Sequence, residues 1–383
     1  MKKIIALTIA AAFIFRFNMP VFADENKYTV PDVKAYVLIE AETGEILLSH
    51  NESEQLPISS LAKLMTLLLV AEELSAGKIT PADSVPVPPD VTGLKAPVIW
   101  LEPGEIMSLG ELAKAVVINS ANDATLALAV YVAGNADEFT ARMNRRASEL
   151  DMSGTFFADP GGFSEDTYST ARDIALMTAE LFRHDAFGKF FTTRLSAVRE
   201  GTERETQLVN TNKLAHRYEG ILGGKAGQSS FAGFCTANCA RRDDMRLVAV
   251  VLGAKDEDDR VNLCEHLLDS GFRDFEFAAP ELDSALFSPL GVTRGVAQVV
   301  EAVPERPVKF ISPRGMGSEA EFEFTLPESV AAPVEEGQVL GKATVRLGEK
   351  IVFECDIIAL HTVEELTFRK SLEILMERFF NYY

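Results

Sequence analysis

The sequence contains few residues of the kinds that bind metals. Its 383 residues include five histidines and four cysteines, and no histidine pair has the His-Glu-x-x-His spacing of a metallopeptidase. Cys235 and Cys239 lack a second pair at matching spacing, which argues against a zinc site. We therefore expect no metal and no other cofactor. Free cysteines are usually buried, and any disulfide is left unassigned among Cys235, Cys239, Cys264 and Cys355.

Positive charge is also scarce. The formal net charge at pH 7 is −20, which excludes the basic surface that nucleic-acid binding requires. Such a surface also disfavours anionic substrates, so any anionic group of a substrate must meet a few local cations. Hydrophobic residues make up 47% of the chain and charged residues 25%, which is typical of a globular protein.

The apolar run near the N-terminus is too short to span a bilayer. Two lysines precede an apolar stretch over residues 4–15, and residues 21–23 form a small-residue cleavage site. This arrangement predicts a secretory signal peptide over residues 1–23, although Arg16 is unusual in such a segment. An uncleaved anchor helix is the alternative. Export with cleavage would take the net charge from −20 to −23, because the segment holds three basic and no acidic residues.

The first two thirds of the chain mix strand and helix patterns. Residues 35–48 predict a β-hairpin, and the apolar run 246–253 is typical of a central strand covered on both faces. Ser108 and Glu111 form a capping box at a helix start. Gly271 is expected to end a helix that covers residues 256–270.

The pattern changes after residue 277. Residues 278–290, rich in Ala and Pro, are typical of a linker, and short alternating runs then predict a small all-β domain. The last helical pattern, residues 363–383, places several apolar side chains on one side. The predicted segments are a signal peptide at 1–23, an α/β domain at 24–277, a β-sandwich domain at 278–360 and a C-terminal amphipathic helix at 361–383.

The first element with chemical meaning is Ser60-Leu61-Ala62-Lys63. Residues three apart share a helix face, so the Lys63 amine would lie one turn from the Ser60 hydroxyl. Serine is a poor nucleophile until a neighbour takes its proton, and lysine can do this once burial lowers its pKa. At a helix N-terminus, free N–H groups would also stabilise an oxyanion. Ser75 and Lys78 repeat the spacing, so a surface serine and lysine are the ordinary interpretation of one match.

The second element, Ser120-Ala121-Asn122-Asp123, lies between two predicted helices. Its hydroxyl can relay a proton to a leaving nitrogen, and the Asn122 amide can hold a substrate backbone. Helix N-capping is the competing explanation, because Ser, Asn and Asp all favour N-caps.

The third element is Lys225-Ala226-Gly227, within a glycine-rich stretch. Glycine on an edge strand lets a substrate backbone approach closely. The charge of Lys225 could hold a C-terminal carboxylate and so supply the local cation that the acidic surface requires. A hairpin with an exposed lysine is the alternative.

Ser-x-x-Lys, Ser-x-Asn and Lys-x-Gly in this order are the signature of the penicillin-binding and serine β-lactamase superfamily. The chain resembles the low-molecular-mass penicillin-binding proteins, which are serine-type D-alanyl-D-alanine carboxypeptidases. The resemblance covers roughly residues 30–360, which is broad enough to be specific. The segments that carry it are 57–66, 101–105, 120–124, 169–173, 246–254 and 341–343.

The resemblance implies roles for individual residues. They are Ser60 (acylated nucleophile), Lys63 (general base), Ser120 (proton relay), Asn122 (substrate positioning), Lys225 (carboxylate binding) and Gln228, whose N–H joins that of Ser60 in an oxyanion hole. Arg246 is a further candidate for the carboxylate pocket, with a structural ion pair as its alternative.

The resemblance also implies an architecture and partners. An antiparallel sheet with helices on both faces and a helical lobe would form the catalytic domain, followed by the β-domain and a helix on the outer face of the cytoplasmic membrane. The substrate would be the D-Ala-D-Ala end of peptidoglycan stem peptides, and β-lactams would acylate Ser60. No nucleic-acid partner and no cofactor are implied.

The sequence departs from the family pattern at several positions. Ala226 stands where threonine is usual, and the lost hydrogen bond to a carboxylate costs roughly 1.5–3 kcal/mol. Ser229, two residues after Gly227, would compensate in part. Residues 159–163 lack a histidine common in that loop. Acids slightly outnumber bases in the C-terminal helix, so membrane binding would rest on its apolar side.

Three alternatives stay open at this point. A β-lactamase shares the motifs, but the sequence offers no convincing acidic loop to activate a deacylating water. A D,D-endopeptidase has the same catalytic residues. A non-catalytic peptidoglycan-binding or sensor protein of the same fold is favoured only by Ala226.

Overall fold

The computed structural model describes residues 29–380, and the predicted signal peptide lies outside this range. Within the described part, no helix is long and apolar enough to cross a membrane. The helices are α1 (Lys63–Ser75), α2 (Leu109–Asn119), α3 (Asn122–Ala133), α4 (Ala136–Glu149), α5 (Ala171–Leu181), α6 (Gly188–Thr192), α7 (Glu257–Asp274) and α8 (Phe368–Phe380).

Short strands outnumber long ones. Those before residue 280 are β1 (Ala35–Glu40), β2 (Ile46–His50), β3 (Leu56–Pro57), β4 (Ser84–Pro86), β5 (Ile106–Ser108), β6 (Tyr168–Ser169), β7 (Leu195–Val198), β8 (Thr206–Val209), β9 (Ile221–Ser229), β10 (Gly233–Arg242), β11 (Met245–Ala254) and β12 (Phe275–Ala278). Those after it are β13 (Leu290–Thr293), β14 (Val299–Val300), β15 (Ala302–Pro304), β16 (Phe310–Pro313), β17 (Glu321–Thr325), β18 (Ser329–Ala331), β19 (Val339–Leu347) and β20 (Lys350–Ala359).

A five-stranded antiparallel sheet in the order β2-β1-β11-β10-β9 organises the first domain. The apolar run predicted as a central strand is β11, which lies between β1 and β10. Its side chains alternate between two cores. Val248, Val250 and Leu252 join the core shared with the helical lobe, whereas Leu247 and Val251 join the core under α7. The prediction of a sheet covered on both faces is confirmed.

The predicted hairpin and helices form, but the expected end of α7 was wrong. Gly271 lies inside this helix, which continues to Asp274. A Cβ on Gly271 would lie 2.5 Å from Leu247 Cδ1 and 2.7 Å from Leu38 Cδ2. The glycine therefore allows the helix to approach the sheet closely and does not terminate it.

The second domain contains a three-stranded sheet, β14-β13-β18, and a four-stranded sheet, β15-β20-β19-β17. Both contribute to one separate core that includes Val292, Val345 and Ile357. The linker was predicted to start at residue 278, but this residue is the last of strand β12. Strand β12 pairs with β16 of the second domain. Arg314, which follows β16, donates to the carbonyls of Phe272 and Arg273 at the end of α7.

The C-terminal helix begins later than the sequence pattern predicted. Val363 pairs with Val334, and Glu365 pairs with Gly295, so the chain is still bound to the β-domain there. The helix starts at Phe368, where the apolar periodicity is no longer used for packing against that domain.

Candidate active site

Ser60 and Lys63 meet at the start of the first helix of the lobe. Residues Ser59–Ala62 form a single 3₁₀ turn, and α1 begins at Lys63. The Lys63 amine donates to Ser60 Oγ at 3.0 Å and to the Gly161 carbonyl at 3.0 Å. Ser60 is partly exposed, whereas Lys63 is fully buried. The predicted nucleophile and its predicted base are therefore already in hydrogen-bonding contact.

Burial changes the pKa of the Lys63 amine. Desolvation lowers the pKa of Lys63 to about 7, and the Asp159 carboxylate opposes that shift only in part. An amine with this pKa is substantially neutral at physiological pH, so it can accept the proton of Ser60.

Ser120 and Asn122 lie at the junction between α2 and α3. Ser120 adopts the left-handed conformation that ends α2, at φ 59°. Asn122 Nδ2 donates to the Lys95 carbonyl at 2.7 Å. Within residues 29–380, buried Ser120 Oγ and Asn122 Oδ1 have no hydrogen-bond partner. Unused buried polar atoms are uncommon in folded proteins, and these two leave one hydroxyl and one amide oxygen available to a substrate.

Lys225 connects the edge strand to the helix that carries Ser120. Its amine donates to the carbonyls of Val116 and Val117 at 2.9 and 3.3 Å, near the C-terminus of α2. Burial, and then the charge of Lys63, hold the pKa of Lys225 well below its usual range. The exposed lysine of the hairpin alternative is therefore wrong, because Lys225 is 1% exposed.

Strand β9 passes directly beside Ser60. A Cβ on Gly227 would lie 3.0 Å from the Ser60 backbone nitrogen, and Ser59 Oγ donates to the Gln228 carbonyl. The expected close approach at Gly227 is thus present, and the backbones of Ser60 and Gln228 lie next to each other. The oxyanion hole formed by their N–H groups stays a prediction.

Ser229 and Arg246 have other partners. The Ser229 hydroxyl accepts from the Ala232 N–H in the turn between β9 and β10, and within residues 29–380 it donates to no acceptor. Arg246 donates to the Phe182 carbonyl and lies 4.0 Å from Glu42. Across the sheet, Lys225 on β9 pairs with Ala237 on β10, and Ala237 pairs with Val250 on β11. Lys225 and Val250 therefore lie at the same level along the strands.

Arg246 precedes Val250 by four residues on β11, which places it about 13 Å along the sheet from Lys225. It is therefore outside the site. The proposal that it supports the carboxylate pocket was wrong, and its structural alternative is correct.

Sequence reasoning missed Arg260. This residue is 3% exposed, and its guanidinium donates to the carbonyls of Gly227 and Cys235 at 3.2 and 3.4 Å. It therefore supports the edge strand beside Ser60 from the α7 side. Its only local signal was an ion pair with Glu257 one helix turn away, which resembles any surface pair.

Asp123 holds a loop at the edge of the site. Its carboxylate accepts from the N–H groups of Ile99 and Leu101 at about 3.0 Å. The same loop receives the side chain of Asn122 at Lys95. The residue after the predicted substrate-positioning asparagine is therefore structural.

One cluster of residues has the composition of a metal site. Glu72, Glu180 and His184 lie close enough together to share an ion. Arg146 forms ion pairs with the two carboxylates at 2.7 and 2.9 Å, so both already have a cationic partner. Glu72 is nine residues after Lys63 on one helix, about 13 Å away. All four cysteines are free and buried, as expected.

Comparison with known families gives two matches. The family described as D-alanyl-D-alanine carboxypeptidase, Peptidase S11, matches residues 24–256. The family described as the C-terminal domain of penicillin-binding protein 5 matches residues 286–365.

Individual proteins match over most of their length. D-alanyl-D-alanine carboxypeptidase DacF of Bacillus subtilis is 30% identical over 98% of both chains. DacC of Escherichia coli, with the same description, is 34% identical over 94% of this chain and 92% of its own. The crystal structure of penicillin-binding protein 5 from Haemophilus influenzae superposes with a TM-score of 0.78 at 27% identity, covering 88% of this chain and all of that one.

The pKa of Lys63 predicts a pH profile for acylation. Only the neutral amine accepts the Ser60 proton, so the second-order rate constant for acylation by a penicillin should rise with pH and level off above a midpoint near 7. Well below the midpoint it should fall about tenfold per pH unit. Stopped-flow or gel-based acylation between pH 5 and 10 measures it. A rate that keeps rising to pH 10 would contradict this assignment of the base.

Proposed function

The chain belongs to the D-alanyl-D-alanine carboxypeptidase family, and we propose that it removes the terminal D-alanine from peptidoglycan stem peptides through an acyl-enzyme on Ser60. The observation that carries this proposal is the hydrogen bond between the buried Lys63 amine and the Ser60 hydroxyl. The family acts on D-Ala-D-Ala stem peptides and binds β-lactams. We therefore expect stem peptides to be substrates of this protein and β-lactams to be its inhibitors.

Acylation begins when Ser60 Oγ attacks the carbonyl carbon of the penultimate D-alanine. The serine proton passes to the neutral Lys63 amine as the oxygen–carbon bond forms. The oxyanion accepts hydrogen bonds from the N–H groups of Ser60 and Gln228, which lie on adjoining backbone segments. Preorganised donors of this kind stabilise the tetrahedral intermediate because they need no reorientation.

Collapse of the intermediate breaks the carbon–nitrogen bond. Ser120 passes a proton to the leaving nitrogen and is reprotonated from Lys63, so free D-alanine leaves and the ester remains on Ser60. Asn122 orients the substrate amide through its unpartnered Oδ1. Water then attacks the ester carbon and gives a proton to Lys63. As the bond between that carbon and Ser60 Oγ breaks, Lys63 returns the proton to Oγ, which releases the shortened peptide and restores Ser60.

The substrate's terminal carboxylate requires a cation, because the chain as a whole is acidic. We place Lys225 beneath that position: its amine lies between the end of α2 and the edge strand. A bound carboxylate would favour the charged form of Lys225, whose pKa burial depresses. Binding and protonation of Lys225 are therefore coupled.

The protein is proposed to act outside the cytoplasm, at the outer face of the cytoplasmic membrane. The predicted signal peptide supports export, and α8 supports attachment. Phe368, Leu372, Leu375 and Met376 are 86%, 54%, 67% and 51% exposed. An amphipathic helix with its apolar side uncovered is suited to the interface of a bilayer.

Replacing Ser60 tests the enzymatic proposal directly. Ser60→Ala removes the nucleophile and should lower the release of D-alanine from a stem-peptide mimic by roughly 10⁴-fold or more. Fluorescent penicillin should no longer label the protein. Ser75→Ala is the matched control, because Ser75 belongs to the second Ser-x-x-Lys of the chain and should keep wild-type activity. Equal rates for Ser60→Ala and wild type would end the enzyme proposal in favour of a binding or sensor role.

Position 226 sets how strongly the substrate carboxylate is held. Ala226 is 5% exposed and pairs with Thr236 on β10. Ala226→Thr should restore a hydroxyl donor and raise kcat/KM roughly tenfold, equivalent to about 1.5 kcal/mol. Ser229→Ala made alone should lower kcat/KM if its free hydroxyl proton substitutes for the missing threonine. No gain from Ala226→Thr together with a loss from Ser229→Ala would show that Ser229 already fills that role.

The exposed side of α8 predicts how the protein binds vesicles. Leu372→Glu with Leu375→Glu removes two apolar contacts worth about 1.5–3 kcal/mol each and should weaken binding to phosphatidylcholine vesicles at least 100-fold. Lys370→Glu, on the opposite side of the helix, should bind like wild type because zwitterionic lipid is insensitive to this charge. Cosedimentation measures both. Equal sedimentation of all three proteins would refute attachment through the apolar side.

A further inference from the structure

Residues 159–163 form a short loop folded over the general base. The Asp159 carboxylate accepts from the N–H groups of Gly161, Phe163 and Ser164 at 2.8–2.9 Å, which fixes the loop from within. Thr66 of α1 donates to the Pro160 carbonyl at 2.6 Å. The loop is thus attached to the same helix that carries Lys63.

The aromatic ring of Phe163 lies over the Lys63 amine. The distance from Lys63 Nζ to the ring centroid is 5.4 Å. The same amine donates to Ser60 Oγ and to the Gly161 carbonyl. The ring, the carbonyl and the Ser60 hydroxyl therefore surround one amine, and two of these three neighbours come from the loop.

The ring occupies this place because residue 161 has no side chain. A Cβ on Gly161 would lie 2.2 and 2.3 Å from two atoms of the Phe163 ring, which is closer than real Cβ contacts. Gly162 is equally constrained, since its Cβ would lie 1.9 Å from the Ser59 carbonyl oxygen. Any larger residue at 161 would move the ring away from Lys63.

We propose that Phe163 is a positioning residue for the general base: its ring, admitted by Gly161, covers the Lys63 amine and keeps water from it while Ser60 and Gly161 hold it in place. This inference rests on the proposed function, because it concerns the base of that reaction. Phe163 would act through Lys63, whose amine its ring covers.

Two effects of the ring oppose each other, and their magnitudes decide between them. A cation–π contact stabilises the charged amine and so raises its pKa by about 0.4–1.5 units. Exclusion of water destabilises it by up to 3–5 pKa units for a fully buried group. The charged groups that act on Lys63 are Asp159, which raises its pKa, and Lys225, which is coupled to it through space. Desolvation is the larger effect, so opening the cover should raise the pKa of Lys63.

Phe163→Ala tests the proposal through the pH profile of penicillin acylation. A raised pKa leaves more of the lysine protonated at pH 7, so the midpoint should move up by about one unit and the rate at pH 7 should fall about fivefold. At pH 9 or above the rate should return to within a factor of two of wild type. A residue that only maintained the fold would lower the rate at every pH.

Gly161→Ala provides an independent variant that keeps the ring. Its Cβ displaces Phe163, so the midpoint should again move upward. Phe163→Tyr should retain the wild-type midpoint, because it keeps the ring in place. In the double variant Gly161→Ala/Phe163→Ala the two shifts should not add, since both act through one ring. Thermal unfolding verifies that each variant is folded.

The possible results distinguish a failure of the role of Phe163 from a failure of the proposed enzymatic function. Wild type that neither releases D-alanine nor reacts with penicillin overturns both. Active wild type with an unchanged midpoint in Phe163→Ala and in Gly161→Ala overturns only the role of Phe163. A downward shift in Phe163→Ala also overturns it, because the cation–π attraction would then outweigh exclusion of water.

Discussion

Two lysine amines, Lys63 and Lys225, are buried close enough together to influence each other's protonation. Burying even one ammonium group is unfavourable unless carbonyl or carboxylate groups surround it. The fold meets this requirement with oxygen atoms from distant parts of the chain: Gly161 for one amine, Val116 and Val117 for the other. Either lysine can be buried only if the helical lobe, the edge strand and the loop before β6 are packed against one another as observed.

The same requirement explains how the chemistry arises. Burial disfavours the charged form of both amines. The pKa of Lys63 therefore falls to about 7, and its amine can act as a base near neutral pH. Its position against Ser60 depends on a 3₁₀ turn that tightens the chain just before α1. Gly227 must lack a side chain for the edge strand to reach Ser60. The proposed nucleophile, its proposed base and the backbone proposed to receive the substrate are therefore brought together by one packing arrangement.

Features coded by local pattern were predictable from the sequence. Period-two and continuous apolar runs identified the β1–β2 hairpin and central β11, and the spacing of Ser60 and Lys63 correctly predicted their contact. Features that depend on distant packing were not. Gly271 resembled a helix end until Leu38 and Leu247 explained it. Residues 363–367 shared the periodicity of α8, yet bridges to the β-domain keep them extended at Val363 and Glu365.

The site shows the same division. Arg246 was singled out because it stands in a family-like segment, whereas Arg260, hidden behind an ordinary helix ion pair, lies against the edge strand. The loop at 159–163 was noticed only for a missing histidine, and its contact with Lys63 spans about a hundred residues of sequence. No pattern within a short window contains such information.

The two-stranded sheet formed by β12 and β16 has a mechanical consequence. Rotation of the second domain would have to break this backbone pairing and the contacts of Arg314 with the end of α7. These contacts therefore hold the β-domain in a fixed orientation relative to the catalytic domain. If α8 lies on a lipid surface, this rigid connection would set the distance between that surface and Ser60. The part of the cell wall accessible to Ser60 would then depend on the dimensions of the β-domain and not on diffusion of a flexibly tethered domain.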